Sequence, residues 1–179
     1  YLEGKNGLVQ VATGQGKTYA ATMAPVAEML EAPSSGLKLL YITPLRAVAR
    51  DIEKAIAKPI TEMNWKVRVE SRTGDSKQSL KRKQLKAMPD ILITTPESLA
   101  LMLTYVGTKN LFGHLRCIIL DEWHELLSTK RGTLTELCLT RLRTLAPELR
   151  TWALSATLAN PKEAALAATG LDKKPVIVT

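Results

Sequence analysis

Short apolar runs alternate with longer stretches of helical period along the chain, the pattern of strand-helix-strand units around a parallel sheet. The runs predict strands over Gly7 to Val11, Lys38 to Thr43, Lys66 to Glu70, Ile91 to Thr95, Arg116 to Asp121, Arg150 to Ser155 and Val176 to Thr179. Most are apolar nearly throughout, as strands are when helices cover both faces of a sheet. Between them the pattern predicts helices over Lys17 to Leu30, Arg46 to Ile56, Lys77 to Ala87, Glu97 to Tyr105, Leu134 to Leu145 and Pro161 to Ala168. The Leu134 segment places Leu134, Leu137, Cys138, Leu142 and Leu145 on one face, with Thr135, Glu136 and Arg143 outside it, and is expected to pack on the sheet. Pro33-Ser34-Ser35-Gly36 is a loop, and no repeat or linker divides the chain. The expectation is one α/β domain over residues 1–179, a mostly parallel sheet with helices on both faces.

Composition agrees with a globular domain, since 45% of the 179 residues are apolar. A net charge of +8 favours a polyanionic partner without choosing among nucleic acid, nucleotide and membrane surface. Cys117 and Cys138 lie inside apolar segments with no Cys-x-x-Cys or Cys/His cluster, so the expectation is two buried thiols rather than a disulfide or zinc site. No apolar run is long enough to span a bilayer and no signal-peptide core is present, so a cytoplasmic protein without membrane contact is expected. Tyr1 in place of an initiator methionine, with a strand close behind it, suggests a piece of a longer polypeptide.

Three short segments carry the candidate chemistry. Thr13-Gly14-Gln15-Gly16-Lys17-Thr18 follows the first predicted strand and opens a helix. Glycines there let successive backbone N–H groups curl around a phosphate chain at the positive end of the helix. Lys17 would reach the β- and γ-phosphates and the Thr18 hydroxyl would ligate magnesium, although Val11 stands where a small residue is usual. Far downstream, the apolar strand Cys117-Ile118-Ile119-Leu120 ends in Asp121-Glu122-Trp123-His124. An isolated Asp-Glu pair is an ordinary solvated turn; at the end of a parallel strand beside a phosphate loop, Asp121 can hold the metal and Glu122 can orient or deprotonate a water. Ser155-Ala156-Thr157 closes another apolar strand and is weak alone, but the order of the three segments is informative.

In that order they resemble motifs I, II and III of superfamily 2 DExH-box helicases, with a first RecA-like domain as the implied fold. Pro44-Leu45-Arg46-Ala47 resembles motif Ia, and Thr95-Pro96-Glu97-Ser98-Leu99 resembles a motif that grips the nucleic-acid backbone. Asp121 to Leu127 followed by Lys130-Arg131-Gly132, together with Arg72-Thr73-Gly74-Asp75, is similar to the Lhr (large helicase-related) group and its ligase-associated members. The resemblance implies ATP with magnesium as cofactors and single-stranded nucleic acid as partner, DNA rather than RNA and in a repair setting. It also implies a second RecA-like domain of the same chain, absent here, that supplies an arginine finger. It assigns Thr13, Gly14, Gln15, Gly16, Lys17, Thr18 and Asp121 to nucleotide and metal, and Glu122 with Lys17 to catalysis. His124, Ser155 and Thr157 become coupling residues, and Pro44, Arg46, Thr73, Thr95, Pro96 and Glu97 line the nucleic-acid face. Trp123 follows the acids rather than lining a groove, so a packed indole is expected there. The basic run Lys77, Lys81, Arg82, Lys83 and Lys86 is either a solvated face or a long-range attractor for phosphate. Two rival readings are a P-loop kinase or transferase, which gives no reason for Asp-Glu-x-His, and a non-catalytic nucleotide or nucleic-acid binding module.

Overall fold

A computed structural model of the chain describes every residue except Thr13, Gln15, Ser128, Thr157 and Asp172. Seven strands form one sheet: β1 (Gly7–Gln10), β2 (Leu39–Ile42), β3 (Val69–Arg72), β4 (Ile91–Thr94), β5 (Cys117–Leu120), β6 (Arg150–Ser155) and β7 (Val176–Val178). Their spatial order is β3-β4-β2-β5-β6-β1-β7 and every pairing is parallel. Parallel neighbours need crossovers, and these are supplied by α1 (Lys17–Glu31), α2 (Arg46–Glu62), α3 (Gln78–Lys86), α4 (Pro96–Leu103), α5 (Thr108–Phe112), α6 (Trp123–Leu126), α7 (Lys130–Leu145) and α8 (Pro161–Thr169).

Alternation along the central strands divides the core in two. Leu39, Tyr41, Ile91, Ile93, Cys117 and Ile119 join Val26 of α1 and Ile56 of α2 in one buried cluster. Leu40, Ile42, Leu92, Ile118 and Leu120 join Met102 of α4, Phe112 of α5 and Leu139 of α7 in the other. The sheet is thus covered on both faces, as the unbroken apolar strands require. Cys117 and Cys138 are both buried and unpaired. No helix among the described residues is long and apolar enough to cross a membrane.

Three local expectations need correction, and two short helices add to the expected elements. The third strand is Val69–Arg72 rather than Lys66 to Glu70, because its only neighbour, β4, offers partners from Ile91 onward and Val69 pairs with that residue. Helix α2 runs on through Pro59 to Glu62. The proline lacks the N–H that would bond the Ala55 carbonyl, and the Tyr19 hydroxyl of α1 donates to that carbonyl instead, at 3.2 Å. In α7, Leu137 is 66% exposed while Thr135 and Leu139 are fully buried. The buried face runs through Gly132, Thr135, Cys138, Leu139 and Leu142, because α7 leans chiefly on α4 rather than lying squarely on the sheet. The Thr135 hydroxyl is satisfied there by the Arg131 carbonyl at 2.7 Å. The short helices α5 and α6 span only 5 and 4 residues, too few for a period to show.

Candidate nucleotide and nucleic-acid site

Parallel strands bring all their C-terminal ends to one edge, and the segments with candidate chemistry leave the sheet there. After β1 the chain turns into α1 through Gly14 (φ 84°) and Gly16 (φ 77°). A Cβ built on either glycine meets nothing within 4 Å, so glycine is required by the left-handed backbone and not by crowding. Among the described residues no side chain caps helix α1, and its first turn has no acidic residue, which suits its first N–H groups and positive end to an anion. Thr13 and Gln15, the other expected members of this loop, lie outside the described residues.

Lys17 opens α1 and is only 8% exposed, yet its ammonium has no hydrogen-bond partner among the described residues. A buried cation without partners is costly, and the nearest compensation is the Glu122 carboxylate, Nζ to Oε1 at 3.8 Å. The acid comes from the turn after β5. Strand β5 is separated from β1 by β6 alone, so residues distant in sequence meet at this edge. Glu122 adopts φ 44°, ψ 48°, a left-handed conformation that costs a side-chain-bearing residue about 1–2 kcal/mol. Its N–H donates to Asp121 Oδ1 at 3.0 Å, which offsets part of that cost and aims both carboxyl groups at the loop. Burial pushes the Asp121 carboxyl above the ordinary carboxylate range; the Tyr41 hydroxyl opposes that rise, the Glu122 charge adds to it, and Lys17 opposes it.

Trp123 is fully buried with its indole N–H donating to the Ala164 carbonyl at 2.9 Å, so it packs rather than stacks on a base, and α6 is anchored through it. His124 Nδ1 lies 3.1 Å from Ser155 Oγ and 3.5 Å from Glu122 Oε2. The Ala156 N–H lies 3.4 Å from the same nitrogen. The imidazole therefore joins the acid turn to the end of β6, whose Ser155 carbonyl also accepts from Val11 N–H at 3.1 Å. Thr157 lies outside the described residues.

The residues with helicase-like nucleic-acid motifs gather on the same edge, towards β3. Arg46, Arg72, Thr73, Lys81 and Glu97 line one groove. Arg46 is exposed and reaches Asp75 at 3.5 Å. Thr73, Thr95, Pro96 and Pro44 are buried, so they shape the edge more than they offer side-chain surface. Thr95 is the residue before α4, and its hydroxyl donates to Ser98 Oγ at 3.3 Å. Of the basic run, Lys81 turns inward and donates to the Gly74 carbonyl at 2.8 Å, while Lys77, Arg82, Lys83 and Lys86 are exposed.

Sequence reasoning had assigned no chemistry to Tyr41 or Arg131. Tyr41 is an apolar-run residue on β2 whose buried hydroxyl faces Thr18 and Asp121 and whose ionisation is disfavoured by burial and then by Asp121. Arg131 was visible only as one letter of a family-like run. It donates from Nε to Glu97 Oε1 at 2.5 Å, and from Nη2 to Glu97 Oε2 at 3.2 Å and to the Pro44 carbonyl at 2.7 Å. No local signal could have shown this, because Pro44 and Glu97 come from other crossovers.

Residues 1–164 match the DEAD/DEAH box helicase family. An Lhr helicase of Mycolicibacterium smegmatis is 39% identical over 91% of this chain, which spans 12% of that protein. The ATP-dependent helicase Lhr-Core of Methanocaldococcus jannaschii is 37% identical over 87% of this chain, which spans 20% of it. Among solved structures, the Mycobacterium smegmatis helicase Lhr bound to ssDNA and AMP-PNP superposes with a TM-score of 0.89 at 34% identity, covering 99% of this chain and 24% of that one. The DUF1998 helicase MrfA, 24% identical with a TM-score of 0.86, shares the RecA-like fold over 99% of this chain and 25% of its own. The chain belongs to the DEAD/DEAH box helicase family, on its Lhr-type branch.

Proposed function

We propose that residues 1–179 form the first RecA-like domain of an ATP-dependent helicase or translocase that moves along single-stranded nucleic acid, DNA rather than RNA. The observation that carries the nucleotide part is the buried Lys17 ammonium beside the glycine turn, which has no hydrogen-bond partner among the described residues and only the Glu122 carboxylate at 3.8 Å to balance it. Such a group suits the β- and γ-phosphates of ATP, whose negative charge would satisfy it. Thr18 and Asp121 offer a hydroxyl and a carboxylate, the hard oxygen donors that magnesium takes. No group of three His, Cys, Asp or Glu among the described residues could cage a metal, so a magnesium here would draw its remaining ligands from phosphate and water. Bound in this way, the ion would neutralise charge on the transferring phosphoryl group.

The chain's own residues would then divide the work. Gly14 and Gly16 present backbone N–H groups, with Thr13 and Gln15 completing the loop, and Lys17 draws charge from the phosphates. Glu122, released from Lys17 as the phosphates take its place, orients and deprotonates the attacking water. His124, Ser155 and Thr157 relay the state of the acid turn towards β6 and the partner domain. Arg46 would meet the phosphate backbone, and Pro44, Thr73, Thr95, Pro96 and Glu97 would frame that face; such contacts position a strand without reading its sequence. The DNA preference and a repair setting rest on likeness to the Lhr group, one member of which is DNA-bound. Family membership and the Lys17–Glu122 geometry support this reading over a P-loop kinase.

The test is Glu122→Gln in the full-length protein. Fluorescent ATP-analogue titration should show retained binding, while steady-state turnover with single-stranded DNA falls by about 10²–10⁴. Undiminished turnover would remove Glu122 from the chemistry.

A further inference from the structure

Arg131 occupies the first turn of α7, outside every segment assigned so far to nucleotide or strand. Its guanidinium makes two bonds to Glu97 and one to the Pro44 carbonyl. One side chain thereby ties the loop after β2 to the start of α4, the two segments that frame the nucleic-acid edge. Arg131 and Glu97 are 39% and 40% exposed, and ion pairs that open to water add little stability. A planar fork that engages both carboxylate oxygens and a carbonyl does, however, set distance and angle closely. The pair also alters the field of the groove. Burial pushes the Glu97 carboxyl up, but its bond to Arg131 and the nearby positive charge hold it below the ordinary range, so it is ionised. Left unpaired, that charge would face incoming phosphates beside Arg46, Arg72 and Lys81.

The other end of the connection is the acid turn. Helix α6 starts at Trp123, directly after Glu122, and is pinned by that residue's bond to Ala164. Thr129 donates to the Leu126 carbonyl at 2.6 Å and accepts from Gly132 N–H at 3.2 Å. A Cβ on Gly132 would collide with the Leu126 carbonyl oxygen, so α7 starts tight against α6. The turn that carries Glu122 and the first turn of α7 that carries Arg131 are therefore packed together through α6.

We propose that Arg131 is a positioning residue that couples the Glu122 turn to strand binding, by holding Pro44 and Glu97 together and masking the Glu97 charge. This rests on the reading of that edge as the nucleic-acid face. The experiment uses the full-length protein with Arg131→Gln, Arg131→Lys, Glu97→Gln and the Arg131→Gln/Glu97→Gln double variant. Affinity for fluorescent oligo(dT) is measured by anisotropy, stimulation as the ratio of ATPase with saturating oligo(dT) to ATPase without it, and folding by thermal melting. Arg131→Gln should lower affinity and stimulation by about tenfold, within the range by which linking residues modulate coupling. Arg131→Lys, which keeps charge but not the fork, should fall between it and wild type. The double variant should recover part of the affinity lost in Arg131→Gln, because the unmasked charge is gone; loss of packing alone gives no such rescue. Wild-type affinity and stimulation in Arg131→Gln would overturn the proposal, as would strictly additive effects in the double variant. If Arg131→Gln fails to fold, an Arg131→Lys variant of wild-type melting temperature carries the test: reduced stimulation supports the proposal and undiminished stimulation overturns it. Failure of the wild-type protein to bind oligo(dT) would instead refute the nucleic-acid face itself.

Discussion

Glu122 and Gly16 reach left-handed backbone for different reasons. Gly16 pays little for φ 77° because it has no Cβ, and the space around it is empty. Gly16→Ala should therefore cost about 1–2 kcal/mol through backbone strain alone, seen in urea unfolding, with Gly16→Asn costing less because asparagine tolerates that region. A loss from alanine well beyond this range would mean that the loop is crowded after all. Glu122 carries the same strain with a side chain attached, and holds it because the neighbouring Asp121 carboxylate accepts its N–H. Strain retained at such a position fits a residue that must aim its carboxylate rather than relax.

Between elements, charged clamps do what apolar packing leaves undone. Arg150 of β6 donates from Nη2 to both oxygens of Glu28 on α1, at 2.6 and 2.8 Å, and stacks over the Tyr1 ring, whose hydroxyl donates to the same carboxylate. Burial pushes the Glu28 carboxyl up, but the Tyr1 and Arg150 bonds together hold it below its ordinary 4.5. A carboxyl depressed on folding adds stability that is present above its ordinary value and is lost as pH falls through the folded value. Urea unfolding of wild type and Glu28→Gln should thus differ most near neutrality and converge as pH drops below 4.5. A constant difference across that window would show that the ionised form is not preferred. Asp121 works in the opposite sense, since its raised carboxyl makes folding easier once protonated, but it contributes equally to both proteins and leaves the difference intact.

At the scale of the whole molecule, seven parallel strands under helices on both faces make a layered unit with its own two-sided core. The chain spans 12–20% of the two Lhr relatives compared above; on the proposed reading a second RecA-like domain supplies an arginine finger, and such a finger is worth about 10³–10⁵ in turnover. Residues 1–179 produced alone should fold cooperatively by circular dichroism yet hydrolyse ATP little or not at all, with or without oligo(dT). Weak binding to oligo(dT), falling steeply with salt, should survive on the Arg46 and Thr73 edge. Robust DNA-stimulated hydrolysis by that piece would assign catalysis to this domain unaided.

Sequence by itself determined the strands and the longer helices. Continuous apolar runs such as Leu39–Ile42 and Cys117–Leu120 can only be satisfied with both faces covered, and Gly14, Gly16 and Lys17 between a strand and a helix have the pattern that a phosphate loop requires. It could also separate Trp123 from an open groove, since the residue directly follows the acids. Tertiary structure alone decided what those elements share. The extension of α2 past Pro59 depends on a hydroxyl from α1, the buried face of α7 depends on where α4 lies, and β3 begins where β4 can pair with it. Lys17 meets Glu122, His124 meets Ser155 and Arg131 joins Glu97 to Pro44 across separate crossovers. Local pattern records periodicity and turn chemistry, whereas a contact between crossovers exists only once the order of strands has brought their ends to one edge.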